Sequence, residues 1–148
     1  MMKPMNEMSL SFLSYSANEG FARATVAAFV AQLDPTVGEI SDIKTAVSEA
    51  VTNSILHGYN NGEGLIEITC EIKGQEVFVE ITDHGVGIPD IEKAMEPLYT
   101  TKPEWERSGM GFAFMEAFMD ELQVYSEVGK GTRVKLSKRI GNSCENSL

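Results

Sequence analysis

At Gly62 and Gly64 the spacing of apolar residues changes from helical to alternating, and that switch limits the folds open to the chain. Beyond it Ile66, Ile68, Cys70 and Ile72 share one face of a strand. Gly74 turns the chain, and Val77, Val79 and Ile81 repeat the pattern. Before the switch, Met8, Leu10 and Phe12 alternate with polar residues and predict an N-terminal strand. Ser16 with Glu19 reads as a capping box that opens a helix, in which Phe21, Ala24, Ala28, Phe29 and Leu33 fall on one face. Asp34-Pro35 ends it. Thr36 with Glu39 forms a second capping box, whose helix is expected to run to His57 and stop at Gly58.

Gly85, Gly87 and Pro89 interrupt the later alternation, and residues 91–95 predict a short helix. Residues 96–109 are polar, carry two prolines and have no period; such long connections often serve as lids. Residues 112–122 read as a buried helix, with 124–128 and 132–136 as a closing hairpin around Gly129 and Gly131. The order is β-α-α-β-β-α-lid-α-β-β. Helices covering one face of a mixed, mainly antiparallel sheet make a two-layer α/β (α+β) sandwich. A chain of 148 residues is one domain, expected over 1–140, with 141–148 as a flexible tail.

Composition removes several function classes. Hydrophobic residues at 43% and charged residues at 23% exclude a disordered chain. Twelve Lys plus Arg against twenty-two Asp plus Glu leave a net charge of −10, which argues against direct nucleic-acid binding. A local anion site built from backbone N–H groups stays open. Cys70 and Cys144 are too few and too far apart for a disulfide scaffold or zinc ribbon, and Cys70 reads as core packing. No stretch approaches the ~20 apolar residues of a membrane span, and the start lacks a signal-peptide pattern. A cytoplasmic protein with no membrane partner is expected.

Four short segments carry the chemistry. On the second long helix, Glu49 and Asn53 lie on one stripe with His57 a turn further, at the border of the face bearing Ile43, Ala46, Val47, Ala50 and Val51. A carboxylate there suits a general base, and an amide oxygen suits a hard cation such as Mg²⁺. Asp83-His84-Gly85-Val86-Gly87 closes an alternating strand; Asp83 can accept from an exocyclic amine, and the two glycines let a flat ring approach the backbone. Gly109-Met110-Gly111 precedes a helix, whose free N–H groups and positive dipole end suit an oligophosphate. Gly129-Lys130-Gly131-Thr132 alone reads as a hairpin turn. Each segment by itself also has a plain structural reading as a helix face, strand exit, loop join or turn.

In order and spacing together, the four resemble the N, G1, G2 and G3 boxes of the Bergerat-fold (GHKL) ATP-binding superfamily, over roughly residues 45–135. The resemblance implies a Bergerat fold with an ATP lid, and ATP/ADP with Mg²⁺ as cofactors. It implies Asn53 as Mg²⁺ ligand, Asp83 on the adenine amine, Gly85 and Gly87 flanking the ring, and Thr132 reaching the base through water. Gly109, Met110 and Gly111 would offer amides to the phosphates, and Glu49 would be the base. The runs Phe21-Ala22-Arg23-Ala24-Thr25-Val26, Ala31-Gln32-Leu33-Asp34-Pro35, Tyr99-Thr100-Thr101-Lys102-Pro103 and Glu106-Arg107-Ser108-Gly109-Met110-Gly111-Phe112 are similar to the sporulation anti-sigma-F factor family. That similarity runs from about Asn6 to Ile140. Members are homodimeric serine kinases that bind one RNA polymerase sigma factor, sigma-F, and phosphorylate a small anti-anti-sigma protein on serine.

The family resemblance implies that Arg23 contacts both partners and that Thr100, Thr101, Lys102 and Ser108 belong to the nucleotide-binding lid. Arg107 is assigned either the γ-phosphate or a partner. Alternatives are a nucleotide-gated sigma-binding module without phosphotransfer, the general-stress anti-sigma kinase of the same family, and simple ATP hydrolysis. His57 and His84 receive no catalytic role. Met115 and Met119 read as core filler, and Lys130, Arg133, Lys135, Lys138 and Arg139 as a solvated strand face.

Overall fold

Alternation becomes sheet wherever it occurs. The computed structural model describes residues 5–96 and 111–141. Its strands are β1 (Asn6–Leu13), β2 (Leu65–Lys73), β3 (Glu76–Asp83), β4 (Glu121–Glu127) and β5 (Gly131–Arg139). They form one sheet in the order β1-β2-β3-β5-β4. All four pairings are antiparallel, so the sheet is simpler than the mixed one that the pattern predicts. The inner face carries Ile66, Ile68, Cys70, Val77, Val79, Ile81, Val134 and Leu136, each at most 5% exposed. At roughly 1.5–3 kcal/mol for each buried aliphatic side chain, this face fixes the register, because a one-residue slip would turn it outward.

Helices α1 (Ala17–Val30), α2 (Val37–Asn53), the single turn α3 (Ile91–Ala94) and α4 (Gly111–Phe118) complete the order. Residues of α1, α2 and α4 share one core with the inner face of the sheet, giving two layers. The Thr36 box forms as read: Glu39 N donates to Thr36 Oγ1 at 3.0 Å and Thr36 N to Glu39 Oε1 at 2.8 Å. The Ser16 box does not. Ser16 has helical backbone angles and makes no capping bond, while Glu19 reaches across to Ser48 of α2 and pairs with Arg23. The stripe of α1 that packs is Ala22, Val26 and Val30, all fully buried. Of the face read from the sequence, Phe29 and Leu33 pack against the core, while Phe21 is 52% exposed and Ala24 and Ala28 face solvent. Asp34, in a left-handed conformation, ends the short 3-10 turn after α1 before Pro35.

Two boundaries shift downstream. The helix read over 112–122 ends at Phe118, and Leu122 belongs to β4. Asp120 causes this: its N–H donates to Ser137 O at 2.9 Å and its carboxylate accepts from Arg139 N at 2.7 Å, tying the turn to β5. Met115 and Met119 are core residues. The basic run divides. Arg133 and Lys135 lie on the outer face beside Glu80 and over the Tyr125 ring, Lys130 pairs with Glu127, and Lys138 turns inward, donating to Phe118 O at 2.8 Å.

Candidate functional site

The site grows from the end of α2, where the sequence pattern predicts an α-helix continuing to His57. Instead the helix widens after Asn53 into a π-helical turn over Ser54–Gly58. Such turns recur at functional sites. Here it sets Ser54 and Gly58 against Asp83, the last residue of β3. Asp83 continues the inward set of Val77, Val79 and Ile81, so the residue is only 4% exposed. Ser54 Oγ donates to Asp83 Oδ2 at 2.7 Å, and Gly85 N donates to Oδ1 at 3.0 Å. Two donors offset much of the desolvation a buried carboxylate suffers.

Strand register brings the next group. Asp83 pairs with Thr132 of β5. Thr132 Oγ1 lies 2.8 Å from Ser126 Oγ, which also accepts from Ile88 N at 2.7 Å and so joins the hairpin to the loop after β3. Asn53, Ser54, His57, Asp83, Gly87 and Thr132 line one recess, walled by Ala50, Ile88, Phe112 and Val134. Gly85 stands beside it, where a Cβ would sit 2.1 Å from Gly58 O; only glycine lets these two backbones touch. The pairing of Val86 N with Gly58 O at 2.9 Å depends on that approach. Carbon walls, one anchored acceptor and a hydroxyl are the contacts that a flat heterocycle bearing an amine calls for.

Gly111 meets the other end. A Cβ there would lie 3.0 Å from Asn53 Nδ2 and 3.2 Å from Oδ1, so the glycine keeps room around the amide. Glu49 lies one turn before Asn53 on α2, half-buried. It lines a neighbouring groove with Arg23, Lys44 and Ser48 rather than the recess holding Asp83. Arg23 is not simply solvated: its Nη1 is 3.4 Å from both Glu19 Oε2 and Ser48 Oγ. The expected lid residues Thr100, Thr101, Lys102, Arg107, Ser108, Gly109 and Met110 lie outside the described residues.

Ser54, Tyr59 and Ser126 escaped the sequence reading. Ser54 had a signal, since it follows Ala46 and Ala50 at four-residue spacing on the buried stripe. Tyr59 had none: its hydroxyl donates to Leu65 O at 2.6 Å and accepts from His84 N at 2.7 Å, contacts that only the folded loop creates. Burial, with the nearby negative charges of Asp83 and Glu67, raises the Tyr59 phenol above its ordinary range despite those bonds. His84 faces outward, its Nε2 3.1 Å from Glu67 Oε1, and His57 stays at the helix end beside the recess.

Known proteins similar to this chain in sequence and in fold agree with this geometry. Residues 16–138 match the family described as "Histidine kinase-like ATPase domain". An anti-sigma F factor from Clostridium kluyveri (strain NBRC 12016) is 60% identical over 138 residues, covering 93% of this chain and 96% of that protein. Those from Clostridium botulinum (strain Alaska E43 / Type E3) and Geobacillus kaustophilus (strain HTA426) are 65% and 62% identical. They match over 91% and 93% of this chain, and 95% of each relative is covered. The crystal structure of the RsbU and RsbW domains of Rv1364c from Mycobacterium tuberculosis superposes with a TM-score of 0.65 at 21% identity, over 93% of this chain. The chain spans 32% of that longer protein, and the likeness speaks for the fold. The class is thus an ATPase-type nucleotide domain. The chain belongs to the histidine kinase-like ATPase family and, within it, to the anti-sigma F factors. Among the described residues no helix is long and apolar enough to cross a membrane.

Proposed function

We propose that the chain binds ATP in this recess, binds and inhibits the RNA polymerase sigma factor sigma-F, and phosphorylates a small anti-anti-sigma protein on serine. One observation carries the nucleotide half: a buried carboxylate, Asp83, held by two donors and facing a carbon-walled recess beside Asn53 and Thr132. The partner half rests on relatives named anti-sigma F factor at 60–65% identity over nearly the whole chain.

Asp83 accepts from the adenine amine, Gly85 and Gly87 flank the ring, and Thr132 reaches the base through water. The amides of Gly109, Met110 and Gly111, with Lys102, hold the phosphates; Thr100, Thr101 and Ser108 belong to the same lid, and Arg107 meets either the γ-phosphate or a partner. The room that Gly111 leaves at the Asn53 amide fits Mg²⁺ held through the amide oxygen, with phosphates and water supplying the other ligands. Bound Mg²⁺ supplies charge neutralisation on the phosphates. Glu49 orients or deprotonates the substrate hydroxyl, and Arg23 on the adjoining groove contacts both partners. The protein works as a homodimer, with the unpaired edge of β1 as the contributing strand.

A nucleotide-gated sigma-binding module without phosphotransfer is favoured by one observation, that Glu49 lines the Arg23 groove and not the recess. Incubation with γ-labelled ATP and an anti-anti-sigma protein separates the readings. Label on serine supports the kinase, free phosphate alone supports an ATPase, and neither leaves the module.

A further inference from the structure

Ser54 stands where packing alone asks for something smaller. The same stripe of α2 carries Ala46 and Ala50, both buried against the sheet, and Ser54 continues it at 5% exposure. An alanine would fill that position, so the hydroxyl is the feature to explain. Its Oγ donates to Asp83 Oδ2 at 2.7 Å while Gly85 N holds Oδ1 at 3.0 Å, one donor for each oxygen. At the other end of the π-helical turn, a Cβ on Gly58 would sit 3.1 Å from Cγ, Oδ1 and Oδ2 alike, so backbone closes that side of the carboxylate. Two donors and a steric wall fix the plane of the group.

We infer that Ser54 is a positioning residue for nucleotide selection: it holds Asp83 in the one orientation that presents a free lone pair to a 6-amino purine. The inference rests on the reading of Asp83 as the adenine contact. A carboxylate free to turn would have to reorganise whenever an amine arrives, and a pinned one does not. The bond is short, buried and charge-assisted, the circumstances in which a single hydroxyl matters most. Each Asp83 oxygen has one donor and acceptor capacity to spare, so removing this hydroxyl takes away one of its two anchors.

The test compares ATP with purine riboside 5′-triphosphate, which lacks the exocyclic amine, by calorimetry on the full chain. Wild type is expected to prefer ATP. Ser54→Ala should lose about 10-fold or more in ATP affinity, on the scale of a hydrogen bond to a charged group, and keep its affinity for the deamino nucleotide. Ser54→Thr retains the hydroxyl and should retain the preference. Unchanged ATP preference in Ser54→Ala, or an equal loss for both nucleotides, would overturn the positioning role while leaving Asp83 as the contact. A wild type that binds both nucleotides equally would overturn the Asp83 reading and this inference with it.

Discussion

Asp83 and Cys70 both point inward from neighbouring strands, one a carboxylate held by donors and the other a thiol packed in the core. Asp83 has Ser54 and Gly85 as donors, and the proposal gives its remaining lone pair to the nucleotide amine. Asp83→Asn exchanges one acceptor for a donor facing the amine, so ATP affinity should fall at least about 10-fold by calorimetry. Glu49→Gln should instead lower serine phosphorylation by about 10²–10⁴-fold with ATP affinity retained, read as label transfer beside the same titration. Wild-type phosphorylation in that variant would remove Glu49 as the base. Cys70 is fully buried, and burial pushes its thiol from 9.0 up to about 12. The folded state therefore keeps the proton that the unfolded chain loses above pH 9. This contribution to stability is whole below pH 9 and is lost as pH rises from there toward 12. Between pH 8 and 10 the loss is on the order of 1 kcal/mol. Urea unfolding should show wild type losing that much more than Cys70→Ala over the same interval.

Helix ends show how the same sequence signature can succeed once and fail once. Thr36 is extended and free to fold its hydroxyl over the first turn, while Ser16 already has helical angles and Glu19 is engaged across to α2. Thr36→Ala should cost about 1 kcal/mol of stability. Ser16→Ala should cost close to nothing, because no capping bond is present to lose. Equal losses for the two in urea unfolding would contradict the assignment. At its other end α2 widens into the π-helical turn, and that local departure supplies both the hydroxyl and the gap that Asp83 uses.

At the scale of the whole molecule the strand order leaves β1 and β4 as the two edges. β1 is eight residues long, with Leu13 partly exposed at its end. Sedimentation at micromolar concentration should show a species near twice 16.2 kDa, and a proline at Ser9 or Ser11 should shift it toward the monomer by removing an edge donor. A wild type that sediments only at 16.2 kDa would eliminate the dimer. The groove between α1 and α2 is separate from the nucleotide recess. Arg23→Glu should therefore keep ATP affinity within about twofold while weakening both partner proteins through charge reversal. Loss of ATP binding in that variant would show that the two regions are not independent.

Periodicity alone was enough to read β1, the β2–β3 hairpin, the Thr36 cap and the element order, because each depends on residues adjacent in the chain. The family resemblance implies Asn53, Asp83 and Thr132 as site residues, and the fold brings the three to one recess. Their meeting was decided by tertiary structure: the register of β3 on β5 sets Asp83 opposite Thr132, and the turn after Asn53 carries Ser54 to the same carboxylate. The inward stripe of α1 was decided there too, since Ala22 is fully buried while its neighbour Phe21 is turned out. Local pattern specifies which face is apolar; only the neighbouring layer decides which face is covered, and which buried polar groups then find one another.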